Sequence, residues 1–222
     1  EGIKNVVVYL IQALAAEHEV LALTSGGLED AEYGIKNVDV NRLLLSVRLD
    51  RAIRHFGPQA VIYVPTACGT VFSFARARML RLYGGGVQTI LVTLQPRHHT
   101  AWGKLLIGCL APDWVLAQSA RTMGVFRDLG CHVALFPPAV DTQRFCPALP
   151  AEKAALRSKY RDPDTATVVT HVGHLKGKRN LSQVLALQVQ GYHTIVVGST
   201  STTQDEALKK TLRGVGATVM DK

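Results

Sequence analysis

The residues best placed to do chemistry lie in Thr167–Leu181, TVVTHVGHLKGKRNL. Thr167–Val172 reads as a buried strand and Gly173 as a turn. His174, Lys176, Lys178 and Arg179 form a basic loop, and Asn180 opens a helix. An apolar strand runs on into four potential cations only where it leaves its sheet, and glycine lets the backbone turn there at little steric cost. Cations at the carboxyl edge of a parallel strand, beside a helix N-terminus, favour negative charge. That edge is also where open α/β sheets bind ligands. The stretch therefore predicts an anion site for a phosphate-bearing ligand around Gly173, His174, Lys178 and Arg179. Two or three cations suit a diphosphate, arginine bidentately and lysine as a mobile point charge. Lys176 reads as solvated, and the P-loop pattern G-x-x-x-x-G-K-[ST] does not occur.

Two further groups follow apolar strands. In Val197-Gly198-Ser199-Thr200, Gly198 permits close approach to the backbone, and Ser199 can hydrogen-bond a ribose or base. In Leu94-Gln95-Pro96-Arg97-His98-His99, Gln95 is expected at a strand's carboxyl end. His98 and His99 are adjacent, so their side chains diverge, and with no carboxylate nearby no metal is expected. Ser119, after WVLAQ, reads as a helix N-cap. Asp113 and Asp141 read as structural, since neither has a placed partner for acid–base work. Without G-x-S-x-G an α/β-hydrolase is not expected. Cys68, Cys109, Cys131 and Cys146 show neither C-x-x-C spacing nor a zinc pattern and read as reduced thiols of a cytosolic protein.

These groups need elements to position them. Helical periodicity covers Ile3–Glu17, Asn41–Phe56, Ala67–Tyr83, Thr100–Leu110 and Ala120–Leu129. In the second of these, Leu43, Leu44, Val47, Ile53 and Phe56 are expected to face inward. Strands are expected at Val20–Leu23, Ala60–Val64, Thr89–Leu94, Trp114–Ala117 and His132–Phe136. Near-continuous apolar strands alternating with helices predict a doubly wound parallel sheet. A proline-rich stretch, 138–150, then reads as a linker. Alternation restarts in 151–222, with helices at Ala151–Tyr160, Leu181–Gln190 and Asp205–Leu212 and strands at Thr194–Val197 and Ala217–Met220. The expected fold is α/β: two Rossmann-like parallel-sheet domains, 1–137 and 151–222, joined by the linker, with ligands in the cleft that such pairs form. Glu1-Gly2 leads straight into a helical pattern and the sequence stops as a strand finishes, so both domains are expected to be incomplete.

Composition bounds the partners. With 222 residues, 47% hydrophobic and 19% charged, the chain is a globular protein of one large or two small domains. A net charge of +8 suits phosphorylated substrates, nucleic acid or an anionic membrane surface. Aromatic content of 6%, without basic–aromatic interleaving, argues against a nucleic-acid stacking platform, so no nucleic-acid partner is expected. No run of eighteen apolar residues provides a membrane span. Arg42, Arg51, Arg54, Arg76, Arg78 and Arg81 would offer peripheral contact with anionic lipid if they share a face.

Four segments, in order, resemble the family 4 retaining glycosyltransferases of the GT-B fold. They are Ile11–Thr24 (IQALAAEHEVLALT), Trp114–Gly130 (WVLAQSARTMGVFRDLG), Phe136–Pro147 (FPPAVDTQRFCP), and Val168–Asn180 with Thr194–Gly198. The resemblance spans nearly the whole chain. It implies a transferase of the hexosyltransferase type; the reduced thiols put it in the cytoplasm, and the arginines would let it contact the inner face of the membrane. A nucleotide-diphosphate sugar would bind the C-terminal domain through Gly173, His174, Lys178, Arg179, Gly198 and Ser199. The N-terminal domain would hold a carbohydrate or lipid-linked acceptor. No metal or other cofactor is implied, and Lys178 or Arg179 would neutralise the leaving diphosphate. The candidate catalytic positions are His174, where the family has arginine, and Gln95, where it has histidine. The family's E-x7-E pair has no counterpart in the sequence, so this segment alone is expected to be inactive. A nucleotide-sugar epimerase and a non-catalytic nucleotide- or sugar-binding module are the alternatives.

Overall fold

A computed structural model describes residues 2–221 of the chain, apart from 27–28, 42, 44–45, 67–68, 84, 96, 161, 163–164, 177–179 and 199–204. The chain divides into two compact units, Glu1–Val140 and Asp141–Lys222. Both are α/β with wholly parallel sheets among the described residues.

The first unit is built on β3 (Ala60–Tyr63), β4 (Gln88–Thr93), β5 (Trp114–Ala117) and β6 (Val133–Leu135), paired in chain order. Helices α3 (Val71–Tyr83), α4 (Ala101–Cys109) and α5 (Ala120–Asp128) make the crossovers. Phe74 and Ala77 of α3, Ile107 of α4 and Phe126 of α5 meet Leu91, Val115 and Cys131 in one buried cluster. The three helices therefore lie on the same face, as right-handed crossovers require when a sheet grows in one direction. Gly69 allows the closeness of this packing: a Cβ there would fall 2.8 Å from Phe126 Cζ and 3.1 Å from Thr93 Cγ2.

Before this sheet come α1 (Gly2–Ala15), the two-residue pair β1 (Leu23–Thr24) and β2 (Lys36–Asn37), and α2 (Val47–Phe56). Three expectations are corrected here. The strand expected at Val20–Leu23 shrinks to Leu23–Thr24, and its partner β2 was not anticipated. The helix expected from Asn41 begins at Val47, because Ser46 caps it, its side chain accepting from the Leu49 N–H, while its own N–H donates to the Tyr83 hydroxyl at 3.1 Å. The buried face of α2 is Leu49 and Ile53, whereas Val47 and Leu43 are exposed and Leu44 lies outside the described residues. Gly57 ends α2 in the left-handed region at φ 62°, its N–H returning to Ile53 O, a conformation that favours glycine.

The second unit comprises α6 (Pro150–Tyr160), β7 (Val168–Gly173), α7 (Leu181–Val189), β8 (His193–Gly198), α8 (Glu206–Gly214) and β9 (Thr218–Asp221). Its sheet order is β7-β8-β9. Leu175, Leu181, Val184, Val196, Leu212 and Ala217 form its core. Gly173 pairs as the last residue of β7, at φ 158°, so the chain leaves the sheet just after the glycine rather than at it.

Candidate functional site

The carboxyl edge of the second sheet is shaped by register. Gly173 and Gly198 end adjacent parallel strands and are direct partners, so two neighbouring positions at that edge lack side chains. Period-two alternation puts His171 and Val196 on the same face as this glycine pair. A Cβ on Gly173 would lie 3.6 Å from His171 Nε2, a buried nitrogen with no hydrogen-bond partner among the described residues. His171 escaped the sequence reading, although alternation from Gly173 identifies its face.

His174 follows at once and is half-buried. Two anchors fix the backbone around it. Gly173 is held in the ladder, and Leu175 is fully buried in the core while its carbonyl accepts the Asp205 N–H at 3.1 Å. Asp205 is also the N-cap of α8, so the loop after β7 is tied to a helix start. The His174 carbonyl accepts from Lys176 N at 2.9 Å, and Lys176 is exposed. Lys178, Arg179 and Ser199 lie outside the described residues. Asn180 precedes α7 with φ 58° and makes no side-chain cap.

In the first unit, a hollow of about 240 Å³ opens at the carboxyl ends of β4 and β5. Thr93, Gln95, Gln118, Ser119 and Thr122 line it, with Leu94 and Pro138 as its apolar part. Gln95 is exposed, two residues beyond the end of β4. Thr93 is buried and donates its hydroxyl to Leu116 O at 3.0 Å. Ser119 caps α5, accepting from Thr122 N at 3.2 Å, and the two hydroxyls lie 2.9 Å apart. Such a lining of amides and hydroxyls can donate and accept hydrogen bonds to a hydroxylated ligand.

The remaining candidates have structural roles. Asp113 Oδ2 accepts from Thr89 N at 2.8 Å and from the Thr89 hydroxyl at 3.1 Å, and Oδ1 lies 2.8 Å from Arg81 Nη1. The Thr89 backbone bond, helped by that hydroxyl and by Arg81, outweighs burial and holds the Asp113 carboxyl below the usual carboxylate range. Asp141 accepts from the backbone N–H groups of Gln143 and Arg144 in a local turn. His99 packs beside Phe126, ring centres 6.1 Å apart. Burial, then the nearby charges of Lys104, His98 and Arg97, lowers its pKa. Among the described residues no group of three or more His, Cys, Asp or Glu is placed to hold a metal ion. Of the arginines considered for lipid contact, Arg54 pairs with Asp50, Arg81 with Asp113, and Arg76 reaches the Tyr63 hydroxyl. Arg42 lies outside the described residues. No helix among the described residues is long and apolar enough to cross a membrane.

No protein-family model and no curated protein sequence matches the chain. Solved structures do. A glycosyltransferase from Rickettsia africae ESF-5 superimposes with a TM-score of 0.74 over 99% of this chain at 12% sequence identity. The likeness is one of fold, the α/β architecture with parallel sheets of a glycosyltransferase. The chain spans 64% of the length of that structure.

Proposed function

We propose that the chain carries donor- and acceptor-binding parts of a retaining glycosyltransferase of the hexosyltransferase type. A nucleotide-diphosphate sugar binds the second unit, and a carbohydrate or lipid-linked acceptor binds the first. The observation that carries the reading is the Gly173–Gly198 pair at the carboxyl edge of the sheet. A phosphate can approach backbone there with no Cβ in the way. His174 follows directly, and in sequence Lys178 and Arg179 stand just before α7. Breaking the bond between sugar and diphosphate places charge on the departing oxygens, so fixed cations at that point lower the barrier. Arg179 suits bidentate pairing and Lys178 a single contact. On the first unit, Gln95, Gln118 and Ser119 offer a hydroxylated acceptor its hydrogen bonds.

One observation favours a second reading, a non-catalytic nucleotide- or sugar-binding module. His174 stands where the resembling family has a permanently charged arginine, and Gln95 where it has histidine. Release of nucleotide diphosphate by the whole protein with an acceptor separates the two: sustained release supports transfer, and donor binding without release supports the module.

The donor site is tested by titrating UDP, GDP and ADP into the chain by calorimetry. At least one is expected to bind weakly. Arg179→Ala should weaken it by about tenfold, the worth of one charge-assisted contact, and Gly198→Val should abolish it. Equal affinity for all three proteins, or no binding to any, would refute the placement.

A further inference from the structure

The polar groups that line the hollow of the first unit are not equally free. Three hydroxyls are already committed. Thr93 donates to Leu116 O, and Ser119 and Thr122 bond each other across 2.9 Å. The Thr122 N–H, which would otherwise be a free donor at the start of α5, is taken by Ser119 Oγ. That leaves two carboxamides, Gln95 and Gln118, neither hydrogen-bonded through its side chain among the described residues. Gln95 is exposed and Gln118 half-buried, so both can turn toward a ligand. A carboxamide carries two donors and an acceptor on one plane. It matches a pair of neighbouring hydroxyls, each of which donates and accepts.

Among the described residues no charged side chain lines the hollow. A phosphate or carboxylate gives up strong hydration on entering a site, which a protein ordinarily offsets with arginine or lysine. Neither is offered here. Leu94 and Pro138 add an apolar wall. A pyranose has a face of C–H groups and a rim of hydroxyls, so it meets both kinds of lining at once. Size narrows the choice further. At about 240 Å³ the hollow falls short of the roughly 300–1,000 Å³ of pockets that enclose a drug-sized ligand, and it suits one ring rather than a chain. We propose that this hollow holds a single uncharged sugar ring, its hydroxyls paired by Gln95 and Gln118. The inference rests on the first unit being the acceptor side, and it deepens that reading. It separates a plain carbohydrate from a ring joined to a lipid through phosphate, and it assigns the first.

The test titrates the isotope-labelled chain, followed by NMR, with three sets of ligands. They are the methyl glycosides of glucose, galactose and mannose, the anomeric phosphates of the same sugars, and inorganic phosphate. The readout is the side-chain N–H signals of Gln95 and Gln118, assigned from Gln95→Ala and Gln118→Ala. At least one methyl glycoside should shift both sets of signals. Its anomeric phosphate should bind at least about tenfold more weakly, for want of a partner to its charge, and inorganic phosphate should shift neither. Gln118→Ala should weaken the glycoside by about tenfold. Gln118→Lys should reverse the order, so that the anomeric phosphate binds more tightly than the methyl glycoside. Gln95→Ala, at an exposed position, should weaken the glycoside with circular dichroism unchanged. The inference is overturned if a phosphate-bearing ligand shifts these signals as strongly as the glycoside, if no ligand shifts them, or if both alanine variants bind like the unaltered chain. Nucleotide titration reads the second unit separately. Nucleotide binding with no glycoside response overturns this inference and leaves the donor reading standing. Glycoside response with no nucleotide binding refutes the transferase reading and upholds the ligand class assigned here.

Discussion

Replacing Asp113 by alanine should destabilise the first unit by about 2–4 kcal/mol. The figure follows from what the carboxylate holds. Thr89 is only 1% exposed, and its N–H has Asp113 Oδ2 as its acceptor at 2.8 Å. Stranding a buried donor costs about 1–3 kcal/mol, and a hydrogen bond to a charged acceptor lies at the upper end of that range. The Thr89 hydroxyl loses the same acceptor. The ion pair adds little, because the Arg81 and Asp113 side chains are 36% and 23% exposed, and such pairs contribute no more than about 1 kcal/mol. Both tryptophans, Trp102 and Trp114, lie in the first unit, so urea unfolding followed by tryptophan emission reads that unit alone. Asp113→Asn keeps an oxygen acceptor and should lose less, and Arg81→Ala should lose about 1 kcal/mol at most. The pH dependence has a definite sign. The folded-state pKa of Asp113 is depressed, so the unfolded chain takes up the proton first as pH falls. The stabilisation is complete well above the unfolded carboxylate value of about 3.9 and is lost as pH falls through the lower folded value. The gap between the unaltered protein and Asp113→Ala should therefore be constant from neutral pH down to about 5 and close below about 4. A loss under about 1 kcal/mol at neutral pH, or Arg81→Ala costing as much as Asp113→Ala, would refute the reasoning.

Two further outcomes test the packing and the cap behind the first unit's hollow. Gly69→Val should destabilise by about 1–3 kcal/mol or more, since even a Cβ meets Phe126 Cζ at 2.8 Å in a filled core; a melting temperature equal to that of the unaltered protein would show that the Phe126 ring yields freely. Ser119→Ala should cost about 1 kcal/mol through loss of the α5 cap, measured by the same urea titration, whereas Ser119→Asn should restore most of it; equal losses for the two variants would deny the cap its role.

Much of the fold is legible in the sequence where local pattern and tertiary demand agree. The strand at Trp114–Ala117 and the cap at Ser119 are read directly, because an apolar run followed by a hydroxyl and a helical period admits one arrangement. The start of α2 is not legible, because it depends on Ser46 N–H reaching Tyr83, which is thirty-seven residues away. The pair β1 and β2 escapes because two-residue strands have no periodicity. At the candidate site, the places of Gln95 and His174 follow from strand ends, which sequence marks. That Gly173 stands beside Gly198 is a matter of register between two strands, and register appears only once both are packed. In α4 the periodic rule points the wrong way, since it would turn Trp102, Leu105 and Leu106 inward. Close packing at Gly103 and Ile107 wins instead.

In the four-stranded and the three-stranded sheet the described strands lie in the order in which they occur along the chain, β3-β4-β5-β6 and β7-β8-β9. Among the described strands, each one docks on the one made just before it. During synthesis, β4 can join β3 as soon as α3 has folded back between them, and every later strand repeats that step. The loops closed are short for a parallel sheet, which keeps the entropic cost of each addition small. Among the described strands, each addition thus leaves an outer edge unpaired until the following segment covers it.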